Sequence, residues 1–358
     1  MRYGACCMKI NRKRINMRLI AKELGISPMT VSRALNGSPL VKEATRSRIV
    51  SQVQDLGYDF ENRLRSLKED RLKNIAIHCG EEKTTGVSAF DFYIQLHYFC
   101  ISQVKRRGFS GNTVDLNSSG RGDITMLSKC RALILLSPLR PQVWQEIRIK
   151  FPKLKTINMF GEVEGVPTVT PDETGGGEIA GRHVASKGHR NIGVFLDLSE
   201  RSFLLRYAGF IAGVHSVRQD VRIEPISFAN PADKDEADRL KEEALDIYFS
   251  ANKKNMPTAF FVPNCYAAIY LYNYLKRHGI KVPSDAGLVG YDNIDYYKMA
   301  DIQISRVYFE VRDLAFQAVD IACSIIEKDE SPLFTVNLPV KFMDCGSVLP
   351  IGKMKRKS

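Results

Sequence analysis

Residues Leu19 to Asn36 read LIAKELGISPMTVSRALN, and their spacing suits two short helices crossed over a tight turn. Ile20, Ala21 and Leu24 fall on one helical face, Gly25 supplies the break, Ile26 plugs the corner, and Val31 and Leu35 restart the apolar period. Ser27 followed by Pro28 reads as an N-cap with proline at the first helical position, where the missing N–H costs nothing. The exposed face of the second helix then carries Pro28, Met29, Thr30, Ser32, Arg33 and Asn36, groups suited to phosphate oxygens and base edges in a major groove. Two helices of some all-helical domain are the alternative that these residues alone leave open.

Charge narrows the choice. The net charge is +12 over 358 residues. It gathers at the ends, with 16 Lys/Arg against 7 Asp/Glu in residues 1–74 and four basic residues from Lys353 to Ser358, leaving 75–352 close to neutral. A basic N-terminal fifth that coincides with a helix-turn-helix points to a polyanion partner. A chain of this length is expected to hold two or three globular units. No run approaches the ~20 apolar residues of a membrane span, and the N-terminus lacks an apolar signal region. The eight cysteines form no C-x-x-C or His-spaced pattern, which fits reduced thiols in a cytoplasmic protein rather than disulfides or a metal.

Around the opening stretch, residues 1–16 read as a basic extension, with Met1 to Cys7 outside the fold and Arg12, Lys13 and Arg14 within reach of a DNA backbone. Asn36-Gly37-Ser38-Pro39 is turn chemistry, and Lys42 to Leu56 returns to helical period with Ala44, Ile49, Val53 and Leu56 as its buried set before Gly57. Residues 59–73 read as a charged linker with Leu64 and Leu67 three apart. From Asn74 the texture changes to short apolar runs (NIAIHC, RALILL, KTINMF, NIGVFL, TAFFVP, GLVGYD) separated by helical stretches, the first around Tyr93 to Arg107. Such runs imply parallel sheets covered on both faces, with ligands bound beyond the carboxyl ends of the strands.

The run AKELGISPMTVSRALNGSPLVKEATRSRI, then LGY, then RSL, resembles the DNA-binding headpiece and hinge of the LacI/GalR family of transcriptional regulators. The resemblance implies that Pro28, Met29 and Arg33 touch bases and that Ser27, Thr30, Ser32 and Asn36 steady phosphates. It also implies that Asn62 to Lys68 is a hinge that folds on the operator, with Arg65 at the DNA and Leu67 as a minor-groove wedge. Phe60, Glu61 and Leu64 depart from the family pattern. The similarity continues to Val348 and implies an α/β periplasmic-binding-protein-like core of two parallel-sheet subdomains. The expected organisation is an extension (1–16), a helix-turn-helix headpiece (17–58), a hinge (59–73), the core (74–348) and a basic tail (349–358). Within the core, one subdomain is expected from 74–168 plus 304–334 and the other from 169–303 plus 335–348.

Three stretches carry the resemblance through the core. In VTPDETGGGEIAGRHVASKGHRNIGVF, Asp172 reads as a helix cap, and the glycines lack the lysine and spacing of a phosphate loop. In Arg206-Tyr207-Ala208-Gly209-Phe210, Arg206 matches the family's effector-binding arginine. In PTAFFVPNCYAAIYLYNYLKRHGIKVPSDAGLVGYDNID, Asn264 and Asp292 follow strands at the cleft, and the resemblance makes both effector contacts, though Asn264 is equally a turn residue. Cys265 replaces an aspartate of the family. Phe92, in the FDFY run of residues 90–93, lies where the family presents aromatics to its ligand, with packing between subdomains as the other reading. The segment from Phe109 to Arg131 is short for a strand-helix-strand unit, and Asn158 is the polar residue in INMF.

These readings imply a cytoplasmic, nucleoid-associated bacterial repressor. It would bind a palindromic double-stranded operator as a homodimer, without leucine heptads for a coiled-coil tetramer, and respond to a small molecule, a sugar or sugar derivative. No cofactor, metal or membrane partner is expected. A solute-binding protein and a sugar-modifying enzyme fused to a DNA-binding unit are the rivals. The sequence offers the enzyme no nucleophile elbow, metal cluster or phosphate loop, and its six histidines are dispersed.

Overall fold

The chain divides into two compact units, Met1–Leu72 and Lys73–Ser358. The computed structural model describes residues 21–22, 24–35, 38–55, 73–79, 87–117, 122–161, 163–231, 233–292, 303–330 and 332–354. The basic extension, Leu19, Ile20, Asn36, Leu56, Gly57 and the hinge with Leu64, Arg65 and Leu67 lie outside the described residues.

In the first unit the turn forms by the chemistry its sequence dictates. A helix ends through Ala21 and Lys22, whose carbonyls accept from Ile26 N–H at 3.0 Å and Gly25 N–H at 3.3 Å respectively. This crossed pair is the cap that a left-handed residue makes, and Gly25 takes φ +62° without a Cβ penalty. Ser27 Oγ then accepts from Thr30 N–H at 3.0 Å, and Pro28 opens α1 (Pro28–Leu35). Val31 and Ala34 of α1 pack with Ala21 and with Ile49 and Val53 of α2 (Glu43–Asp55). Ala44, expected in this core, is exposed. Val41, three residues ahead, joins the core. Arg46 donates to the Ser38 carbonyl at 2.9 Å and so ties the intervening turn to α2.

The second unit contains two six-stranded sheets. The first is built from β1 (Asn74–His78), β2 (Ser110–Val114), β3 (Ala132–Leu135), β4 (Lys155–Met159), β5 (Thr168–Pro171) and β11 (Thr335–Leu338), in the order β11-β5-β4-β3-β1-β2. The second is built from β6 (Asn191–Leu196), β7 (Arg222–Ser227), β8 (Ala259–Phe261), β9 (Gly287–Tyr291), β10 (Ser305–Tyr308) and β12 (Lys341–Met343), in the order β12-β10-β9-β8-β6-β7. Among the described residues every strand pairing is parallel except β10 with β12. The wholly buried ALIL of β3 and GLVGY of β9 sit centrally, while the more polar SGNTV of β2 and RIEPIS of β7 take sheet edges. The connecting helices are α3 (Val87–Arg106), α4 (Gly122–Met126), α5 (Pro141–Lys150), α6 (Glu173–Ser186), α7 (Arg201–Val217), α8 (Lys234–Ala251), α9 (Cys265–Arg277) and α10 (Val311–Lys328). The short segment after Phe109 is accommodated by α4, five residues long, followed by one 3-10 turn at Leu127–Lys129.

The chain crosses between the sheets three times, and the crossings correct the expected subdomain limits. Ser305–Tyr308, expected in the first subdomain, pairs with β9 of the second sheet. Residues 169–171 and 336–338, expected in the second, pair with each other in the first sheet, and Thr335, also expected in the second, pairs there with Thr168. The reason is that each crossing falls at a strand's carboxyl end: α6 follows β5 and packs on the second sheet, and α10 follows β10 and packs on the first. Among the described residues, no helix is long and apolar enough to cross a membrane.

The glycines of ETGGGEIAG position a helix pair rather than a phosphate. Gly177 and Gly181 of α6 stand four apart, as do Gly209 and Gly213 of α7. A Cβ on Gly177 would lie 1.9 Å from the Arg206 carbonyl oxygen, and one on Gly209 would lie 2.0 Å from that of Thr174. The two backbones therefore touch, and the start of α7 is held directly beneath the start of α6. That contact brings Arg206 to Glu173.

Candidate functional site

The face expected to read DNA is assembled as the capping predicts. Pro28, Met29 and Arg33 are exposed, Thr30 and Ser32 are half-buried, and Met29 presents 61% of its surface. Ser27 spends its hydroxyl on the start of α1, with Thr30 Oγ1 2.9 Å away. Asn36, Arg65 and Leu67 of the expected set lie outside the described residues.

The second site is a cavity of about 810 Å³ in the core unit, bounded by carboxyl ends of strands from both sheets. All four residues expected there, Phe92, Arg206, Asn264 and Asp292, line it. Phe92 stands edge-to-face with Phe160 at 5.6 Å and with Phe309 at 6.2 Å between ring centroids, so it packs aromatic side chains and faces the cavity at once. Asn264 is the N-cap of α9, its Oδ1 accepting from Tyr266 N–H at 2.9 Å and Ala267 N–H at 3.1 Å. Asp172 caps α6 through Gly175 N–H at 2.9 Å, as expected. Asn158 does not line the cavity; its amide donates to the Phe160 carbonyl at 2.8 Å and braces the turn after β4.

Asp292 directly follows β9 and takes φ +72°, a left-handed conformation that aspartate tolerates better than most residues. Its Oδ1 lies 3.3 Å from Arg206 Nη1, and its Oδ2 lies 3.4 Å from the Cys265 N–H. Phe160, following β4, is also left-handed, at φ +67°. Both strand ends thus hold backbone strain where they border the cavity. The Cys265 thiol is buried, and burial pushes its pKa well up, so it is inert packing in place of the family's aspartate.

Arg206 is 5% exposed. Burial opposes its charge, but Glu173 and Asp292 more than offset that and raise its pKa. Glu173 receives Arg206 Nε at 2.5 Å and Nη2 at 3.2 Å. Sequence reasoning missed Glu173, because an acid in a helix's first turn reads as an ordinary partner of the helix dipole. It also missed Asp197, which follows the apolar strand NIGVFL and could have been found by the strand-end rule that located Asp292. Lys241 carried no signal, since α8 reads as a solvated charged helix.

Residues 16–59 match the bacterial regulatory proteins of the lacI family. Residues 182–348 match the periplasmic binding protein-like domain. The transcriptional repressor PurR of Haemophilus influenzae strain PittEE is 25% identical over 323 residues, which span 87% of this chain and 91% of that protein. PurR of Photobacterium profundum is 26% identical over 316 residues, 84% of this chain and 89% of its own. Among solved structures, the lac repressor dimer bound to operator and the anti-inducer ONPF aligns with a TM-score of 0.64 at 19% identity, over 94% of this chain and 100% of its own. A regulator from Enterococcus faecium with bound ribose aligns with a TM-score of 0.61 at 18% identity, over 78% of this chain and 100% of its own. These structural likenesses are of fold. A helix-turn-helix reader joined to a two-subdomain core with a polar cleft defines a DNA-binding regulator of transcription, not an enzyme. The chain belongs to the LacI/GalR family of transcriptional regulators.

Proposed function

We propose that this regulator is a cytoplasmic repressor that binds a palindromic operator as a homodimer, and that a sugar or sugar derivative in the core cleft sets its affinity for that operator. The observation that carries the reading is the cavity itself, where Arg206 and Asp292 meet beside aromatic walls in a chain that also has a helix-turn-helix. Hydroxyl groups suit such a site, because carboxylates accept from them while aromatic faces cover the sugar's apolar side. Phe92, Arg206, Asn264 and Asp292 are assigned to the effector. Ser27, Pro28, Met29, Thr30, Ser32, Arg33, Asn36, Arg65 and Leu67 are assigned to DNA. A ligand bound more tightly by one arrangement of the two core subdomains shifts their equilibrium, and the same free energy must reappear as a change in operator affinity.

Selection of binding sites from random DNA, with and without sugars, tests the reading. Palindromic sites whose occupancy changes with a sugar support it; enrichment of no sequence sinks it. Affinity for the selected site is expected to fall with salt at a log–log slope of about −0.9 per neutralised phosphate. Met29 and Pro28 offer bases apolar contact, so Arg33 is expected to carry much of the hydrogen-bonded readout. Arg33→Ala should therefore cost about 1–3 kcal/mol at one operator position and relax preference there. Equal weakening on every sequence in a competition assay would make Arg33 a phosphate contact instead.

A further inference from the structure

A guanidinium has five N–H groups. In Arg206, Nε and Nη2 grip both oxygens of Glu173 at 2.5 and 3.2 Å, while Nη1 donates to the Pro263 carbonyl at 2.7 Å and to Asp292 Oδ1 at 3.3 Å. Four of the five are thus directed at acceptors within the protein. The flat face of the group is covered by the Tyr291 ring, whose centroid is 3.8 Å from Cζ. With Glu173 and Asp292 ionised, the triad carries one net negative charge. Lys241, another cation on the cavity wall, is held 3.1 Å from Asp238 Oδ1. Among the described lining residues, five carboxylates face three cations.

An arginine fork is the usual receiver of a phosphate or carboxylate, which it binds through two parallel N–H groups. Here Glu173 already occupies that pair. A ligand anion would have to displace a buried carboxylate or sit beside an excess of negative charge in a region of reduced dielectric, where repulsion is poorly screened. Asp292 has the opposite character. Among the described residues its Oδ2 takes one long contact, from Cys265 N–H at 3.4 Å, and keeps lone-pair capacity for a ligand donor.

We propose that Glu173 sets the charge selectivity of the cleft: by holding the Arg206 fork it closes the site to phosphorylated and carboxylated ligands, so the effector is a hydroxyl- or amine-bearing molecule without negative charge. The inference rests on the ligand-sensing reading above. It makes Glu173 a specificity residue that acts through Arg206, and removal of its charge converts the site into an anion receiver.

The full chain, titrated calorimetrically with D-glucose, glucose 6-phosphate and inorganic phosphate, provides the test. The wild type is expected to give no saturable heat with either phosphate compound. Glu173→Gln, which keeps the side-chain volume, is expected to give a saturable phosphate heat, with an affinity at least about tenfold (about 1.4 kcal/mol) above the weakest binding the wild-type titration would have detected. Asp292→Asn, which relieves the other flank, is expected to shift it the same way by less. Wild-type protein that prefers glucose 6-phosphate to glucose overturns the proposal, as does a folded Glu173→Gln with unchanged phosphate affinity. Should Glu173→Gln fail to fold, unchanged phosphate affinity in Asp292→Asn overturns it. Failure of the ligand-sensing reading has a different signature: Glu173→Gln gains phosphate in the cleft, yet neither sugars nor nucleobases alter operator binding by the wild type.

Discussion

Gly177→Ala lowers the stability of the core unit by about 3 kcal/mol or more, the upper end of what an overpacked methyl costs. In an exposed helix the same change would stabilise by about 1 kcal/mol, because alanine is the better helix former. The sign reverses because the new Cβ would stand 1.9 Å from the Arg206 carbonyl oxygen and 2.8 Å from the Phe210 nitrogen. Those are backbone atoms of α7, so relief requires the two helices to separate. Separation also lifts Arg206 away from Glu173, and ligand response should fall together with stability. Gly352→Ala is the control, since nothing lies within 4 Å of its Cβ position. The control is expected within about 0.5 kcal/mol of the wild type. Urea unfolding followed by tyrosine fluorescence and far-ultraviolet circular dichroism compares the two. A wild-type midpoint for Gly177→Ala would mean that α6 and α7 are not in backbone contact.

That contact also marks where sequence reading stopped. Gly25, Ser27 and Pro28 announced their turn because capping is local: each acts on hydrogen bonds within a few residues of itself. Asp292 was found because its strand is an unbroken apolar run, and the residue after such a run has few places to go but the cleft. Gly177 and Gly209, 32 positions apart, carry no local signal of being partners. Glu173 was invisible for the same reason, because its role is defined by an arginine 33 residues away. The subdomain limits failed on a related point. Ser305–Tyr308 reads as a buried strand whichever sheet it joins, and the choice is made by pairing with β9, which periodicity does not encode.

Arg206→Met should cost about 3–5 kcal/mol at neutral pH, the range for removing one partner of a buried ion pair. Methionine replaces much of the volume, so the loss is electrostatic: Glu173 and Asp292 are left facing each other without a cation. Burial already pushes both carboxyls above their usual range, with Arg206 pulling the other way. Without Arg206 that opposition disappears and the native pKa values rise further. A carboxyl whose pKa is higher in the folded protein than in the unfolded chain favours folding while it is protonated, so its contribution is complete below the unfolded value of about 4 and is lost as pH rises through the native value. The deficit of Arg206→Met relative to the wild type should therefore widen from pH 5 to pH 8, and Glu173→Gln in the same chain should narrow it at pH 8. Denaturant titrations of the two single variants and the double variant at both pH values give the coupling directly. A deficit that is flat with pH and additive with Glu173→Gln would make Arg206 a packing residue, and the carboxylates around it would owe their positions to something other than its charge.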